Sequence, residues 1–290
     1  MTQARASRGH VGTTRGASGV RTWSIVRPGV PLLAGTPWRL LGALGLGLAM
    51  TAALVFEGWL PQVALRVSAS TAAYGGMLAT AVGWAAAGRA GSPGGPEPAT
   101  AALLIGIGAL ASAVNPLGAA LYLATPAWMA VGAARGRLVG LGLGTPVTAR
   151  TVVLGLLAGA FLGAHLLVCA SLTFDYRVRM DVGHVAGAVA IDAGAQVLAT
   201  ECLFRGALLN RLLRERSFAV SAAWSTALYL VRYLVDPLLP GAIEIVVGML
   251  FYVSLLGVTT AWLFWRSGSL IPGGLAAFLF CVAYRLLAVP

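Results

Sequence analysis

From about residue 40 onward polar positions are sparse and clustered, and the apolar runs between them are long. They cover about 40–56, 63–87, 99–114, 117–134, 151–174, 184–209, 217–235, 241–265 and 270–289. Most approach or exceed the roughly 20 apolar residues that a helix needs to cross a hydrocarbon core of about 30 Å. The runs are continuous instead of alternating at every second position, so a closed β-barrel is excluded and an all-α bundle of membrane-spanning helices is predicted. The third and fourth runs are short and divided only by Asn115-Pro116, which leaves eight or nine spans open. Gly91-Ser92-Pro93-Gly94-Gly95-Pro96 reads as a loop. A second loop, 135–150, separates a front half with almost no buried charge from a back half that holds nearly all of it. The expected organisation is a disordered basic tail over 1–36, an N-terminal membrane region over 37–149 and a C-terminal membrane region over 150–290.

Composition agrees with the pattern. The 290 residues are 58% hydrophobic and 10% charged, with a mean hydropathy of +0.85, whereas ordinary soluble domains are about 25% charged. The net charge of +11 comes from 20 basic residues, all of them arginine, and their distribution points to the bilayer and not to nucleic acid. With the N-terminus in the cytoplasm and nine spans, cytoplasmic segments hold Arg5, Arg8, Arg15, Arg21, Arg27, Arg39, Arg89, Arg135, Arg137, Arg150, Arg211, Arg214, Arg216 and Arg266. The other side holds Arg66, Arg177, Arg179 and Arg285, an asymmetry with the expected sign. The tail does not read as a cleaved signal, because EGWLPQ follows the first apolar run where small residues would mark a cleavage site. Cys169, Cys202 and Cys281 all lie in apolar runs as small hydrophobes, and the three histidines are too scattered for a metal set, so no disulfide, metal or cofactor is expected.

Charge inside an apolar span costs at least about 2.5–3.5 kcal/mol at mid-bilayer and marks places that need a partner or a cavity. The span 184–209 carries His184, Asp192, Gln196, Glu201 and Arg205. Glu201 and Arg205, at i and i+4, share a helix face and suit an ion pair. Asp192, nine residues before Glu201, falls on nearly the opposite face of a straight helix, where it makes a separate polar stripe with Gln196. Read by charge alone, Glu201 and Arg205 are equally a salt bridge that pins helices and the start of an active site. His165 reads as a packed histidine, and Arg211, Arg214, Glu215 and Arg216 as an interfacial cluster at a cytoplasmic helix end. Arg232 is expected to pair with Asp236 near the interface, and Glu244 to snorkel from the start of its span.

The stretch TECLFRGALLNRL, residues 200–212, resembles the first signature of the CAAX protease and bacteriocin-processing, or abortive-infection, family of membrane endopeptidases, written EExxxR. Glu201 matches its second glutamate and Arg205 its arginine. The family's second signature, FxxxH, aligns with 225–233, placing Tyr229 at the aromatic and Tyr233 at the histidine. Gly268-Ser269-Leu270-Ile271-Pro272 is similar to the turn before its third, HxxxN or HxxxD, which puts Ala277 at the histidine and Cys281 at the Asn or Asp. The resemblance covers residues 150 to 290.

It implies a membrane peptide hydrolase in which the first glutamate activates a water held by two histidines and the Asn. Here Thr200, Tyr233, Ala277 and Cys281 stand at those four places. Thr200 cannot serve as a general base near neutral pH, and Ala277 offers no hydrogen bond. Two readings stay open. One is a pseudoenzyme that keeps Glu201 and Arg205 for shape and binds a membrane-anchored peptide or protein. The other is a relocated site with Glu201 as base and Tyr233 or Arg232 as oxyanion donor. The expected location is a bacterial inner membrane. A transporter component is a third reading, although the halves show no convincing internal repeat.

Overall fold

The computed structural model describes residues 31–87, 97–235 and 243–288. Nine helical segments occur among these residues. They are α1 (Trp38–Phe56), α2 (Gln62–Ser70, passing through a π-turn into Gly76–Ala87), α3 (Pro98–Val114) and α4 (Pro116–Ala134). After them come α5 (Ala149–Phe174), α6 (Val182–Leu212), α7 (Phe218–Leu234), α8 (Ile243–Ser267) and α9 (Leu270–Arg285). Five have the length and apolarity to cross a membrane: α1, α4, α5, α6 and the part of α8 from Val246, while α3 and α9 are shorter apolar helices. The chain is an all-α membrane protein. The 91–96 loop, Asp236 and residues 1–30 of the tail lie outside the described residues, as does the side chain of Glu244.

Asn115-Pro116 is a reversal and not a kink. Asn115 leaves helical dihedrals, at φ −147° and ψ 132°, and its side chain accepts from Leu117 N at 2.9 Å. Helix α4 opens as a 3₁₀ turn over Pro116–Leu123 and folds back on α3, with the Tyr122 ring pressed on Gly108 and Gly118 against the Ala111 carbonyl.

The ends of the bundle are tied differently. At one end, Leu270 N donates to Gly142 O at 3.1 Å and Asn210 Nδ2 to Gly140 O at 3.2 Å, so the α4–α5 loop braces the end of α6 and the start of α9. At the other, a two-residue antiparallel ribbon pairs β1 (Arg177–Val178) with β2 (Leu287–Ala288). The ribbon holds the segment entering α6 beside the end of α9.

Close backbone approach organises the seam between α5 and α9. A Cβ on Gly155 would meet Pro272 O at 2.2 Å, and one on Gly159 would meet Ala276 O at 2.5 Å. In lipid, where apolar surface gains little by leaving its surroundings, such small-residue contact is a main source of helix association. Helix α1 is the opposite case: a Cβ on Gly42, Gly45 or Gly47 would meet nothing within 4 Å, and most of the helix surface faces outward. Gly159→Val is therefore expected to lower the thermal unfolding midpoint in detergent, at a cost of about 1–3 kcal/mol from overpacking. Gly45→Val should leave the midpoint nearly unchanged, and equal behaviour of the two variants would refute the seam.

Candidate functional site

Helix α6 is not regular. It contains two π-turns, Asp192–Gln196 and Cys202–Leu209, on either side of Thr200 and Glu201. A π-turn displaces the hydrogen-bond register and leaves backbone carbonyls for other partners. The second one frees Phe204 O, which accepts from Ser225 Oγ of α7 at 2.8 Å.

Arg205 sits at the centre. Its side chain is fully buried and that of Glu201 is 2% exposed, with Arg205 Nε and Glu201 Oε2 4.0 Å apart. Arg205 Nε donates to Thr260 Oγ1 of α8 at 2.8 Å, and the guanidinium lies 4.7 Å from the Tyr229 ring centroid of α7. Tyr229 in turn packs on Phe204, ring centroids 5.5 Å apart. Gly257 leaves room for this arrangement, since a Cβ there would lie 3.0 Å from Arg205 Nη2. The pair predicted from the i, i+4 spacing is present, and it joins three helices.

The other family-aligned positions are buried. Thr200 Oγ1 donates to Gln196 O at 2.8 Å, turned onto its own helix. Tyr233, Ala277 and Cys281 are 6%, 1% and 5% exposed and belong to one core cluster with Tyr229 and Cys202. Cys281 lies within electrostatic reach of Glu201, Asp192, Arg285 and Arg232.

The structure supplies partners that the sequence left open, and it buries Arg211. Asp192 and Glu201 form no dyad, as expected, since each takes its own arginine. Asp192 Oδ1 accepts from Arg285 Nε at 2.6 Å, and Gln196 Oε1 accepts from Arg285 Nη2. Arg285, a loop arginine by the topology count, is thus the partner of that polar stripe. Arg232 lies over the Tyr74 ring of α2, 4.8 Å from its centroid, and its expected partner Asp236 is outside the described residues. Arg211 is 4% exposed instead of interfacial; it stacks on Trp84, 4.2 Å from the ring centroid, and donates to Trp84 O at 3.1 Å. Of the cluster read around it, Glu215 and Arg216 are exposed and Arg214 is half-buried, its guanidinium held below the ordinary arginine range by desolvation against the opposing pull of Glu215.

The two described histidines, His165 and His184, have separate partners. His165 Nδ1 pairs with Tyr252 Oη at 2.6 Å, beside Cys169. His184 follows the Asp181 cap of α6, and its Nε2 pairs with Arg285 O at 2.7 Å. Sequence reasoning missed Thr260 as the acceptor for Arg205; the signal available was a hydroxyl in an otherwise apolar run.

Residues 184–282 match the family described as type II CAAX prenyl endopeptidase Rce1-like. This part of the chain is similar to that family. The match begins at His184 of α6 and ends just after Cys281, so it contains every family-aligned position. No curated protein and no solved structure gives a match.

Arg205→Leu is expected to leave Glu201 buried without its counter-charge, at a cost of about 3–5 kcal/mol, read as a lower unfolding midpoint in detergent. Adding Glu201→Gln should restore much of the loss, because the uncompensated charge goes with it. An unchanged midpoint for Arg205→Leu would rule out the pinning role.

Proposed function

We propose that this CAAX-protease-like membrane protein is a pseudo-peptidase, keeping the scaffold of its Rce1-like segment and binding a membrane-anchored peptide or protein without cutting it. The observation that carries the reading is Thr200 beside Glu201. At the place of the general base stands a hydroxyl committed to a carbonyl of its own helix, and the remaining glutamate is buried next to a guanidinium. Peptide hydrolysis by water needs a base free to take a proton and donors aimed at the developing oxyanion. Ala277 supplies no such donor, and Tyr233 and Cys281 lie in the core cluster with Tyr229.

The relocated-site reading is weaker on the same observations. It requires Glu201 to leave Arg205, whose side chain is fully enclosed. Glu201 and Arg205 are then shape-holding residues, and Tyr233 is a packed aromatic whose ring adds to the core around Tyr229.

Nine spans with a cytoplasmic N-terminus remain the orientation best supported by arginine placement. The bundle end with the α4–α5 loop and the α6–α7 connection carries Arg135, Arg137, Arg150, Arg211, Arg214 and Arg216, while the ribbon end carries Arg177, Arg179 and Arg285. Under the positive-inside rule the first end is cytoplasmic. Residues 150–290 form the half in which a peptide partner would be sought, in a membrane of the bacterial inner type.

The test is cleavage of prenylated and leader-type peptides by purified protein in detergent, beside Glu201→Gln. No product is expected from either form. Cleavage by the parent protein that disappears in Glu201→Gln would overturn the pseudo-peptidase and establish the relocated site.

A further inference from the structure

Arg211 closes the Rce1-like signature stretch and lies at the opposite end of the second π-turn from Glu201. Its guanidinium is stacked on Trp84 and tied to Trp84 O. With that much of it fixed by α2, the remaining donors face the segment 31–36, which precedes α1. Arg211 Nη2 donates to Ala34 O at 2.8 Å, and Nη1 to Leu32 O, with Pro31 O at 3.4 Å. Trp84 Nε1 adds a bond to Thr36 Oγ1 at 2.8 Å. Gly35, at φ +82°, nests on Gly83, where a Cβ would lie 2.5 Å from Gly83 O. The sequence pattern places these residues at the end of a disordered tail; they instead form a turn, with Ala34 N bonded to Pro31 O and Thr36 N to Leu33 O.

Two properties of this contact matter. Among the described residues, the hydrogen bonds from Arg211 to this segment all go to main-chain carbonyls, so its grip is indifferent to the side chains of the segment it holds. The segment also buries little of itself: Leu32 and Leu33 are 47% and 54% exposed. The arginine end of the contact is built into the bundle, and the strap end is held by hydrogen bonds with little apolar burial. A planar guanidinium stacked on an aromatic face, with its fork aimed outward, is a preorganised donor for an extended or turned backbone.

We propose that the Arg211–Trp84 cleft is a binding site for the main chain of an apolar, proline- and glycine-containing peptide, and that the chain's own segment 31–36 occupies it in cis. A peptide in trans binds only when the strap leaves, so its apparent affinity is reduced by the fraction of molecules with the cleft open. The site is separate from Glu201 and Arg205 and does not depend on whether those residues catalyse.

The experiment titrates a fluorescein-labelled peptide PLLAGTPW, the sequence of residues 31–38, against the full chain in detergent and follows anisotropy. Gly35→Val forces the strap out, since its backbone conformation and the Gly83 contact both reject a side chain. This variant should bind the peptide about tenfold or more tighter than the parent. Thr36→Val, which removes the Trp84 acceptor without steric insertion, should move the affinity the same way by a smaller factor and serves if Gly35→Val is not monodisperse. Adding Arg211→Lys to either variant should abolish the gain, because an ammonium lacks the planar fork. Equal affinity of the parent and both strap variants would overturn cis occupancy, and tight binding that survives Arg211→Lys would overturn the cleft as the site.

Discussion

An arginine side chain stays charged in any protein interior, and the bundle must be built around that fact at Arg205. A guanidinium enclosed by lipid-facing helices cannot hand its charge to water, so its surroundings have to supply a counter-charge, an acceptor and a polarisable face. Glu201 supplies the first from one turn away on the same helix, Thr260 the second from α8 and the Tyr229 ring the third from α7. Each requirement fixes a neighbour. The crossing of α7 and α8 over α6 follows from where those partners must stand, and Gly257 is small because the guanidinium lies against it. The π-turn that begins at Cys202 belongs to the same solution: it displaces the register of α6 and frees the Phe204 carbonyl that Ser225 then takes.

A second polar centre repeats the principle with different parts. Asp192 and Gln196, on the first π-turn, both take Arg285 from the far end of α9. The charge partner here is 93 residues away in sequence, so this pair closes the bundle where the other one ties adjacent helices. Together with the ribbon β1–β2, it fixes the end of α9 to the start of α6. Cys281 stands between the two centres, within reach of the charges of both.

The local half of this is legible in the sequence. Apolar runs mark the positions of the helices to within a few residues, and the i, i+4 spacing marks the Glu201–Arg205 pair, because both signals are periodic and short in range. What stays hidden is anything set by helix packing. The pairing of Asp192 with Arg285 depends on how α9 lies against α6. The burial of Arg211 depends on Trp84 arriving from α2, and an arginine four residues from Glu215 reads equally well as interface. A straight-helix count does not anticipate the two π-turns of α6, and no residue in DAGAQ or CLFRGALL announces them. Asn115-Pro116 carries both readings, kink and reversal, and the choice between them is made by the contact of Tyr122 with Gly108 across the hairpin.

The signature stretch can therefore be separated into groups with different physical duties. A catalytic water needs a cavity and two to four polar partners to hold it. Thr200 bonds a carbonyl of its own helix, and Ala277 has no polar side-chain atom to offer such a water. Glu201 and Arg205 answer to another demand, since losing either strands a charge in a medium that cannot solvate it. Substitution at the uncharged positions strands no charge, while substitution at the charge-paired positions is opposed by electrostatics. A buried Glu–Arg pair therefore carries information about the fold whether or not the chain hydrolyses peptides.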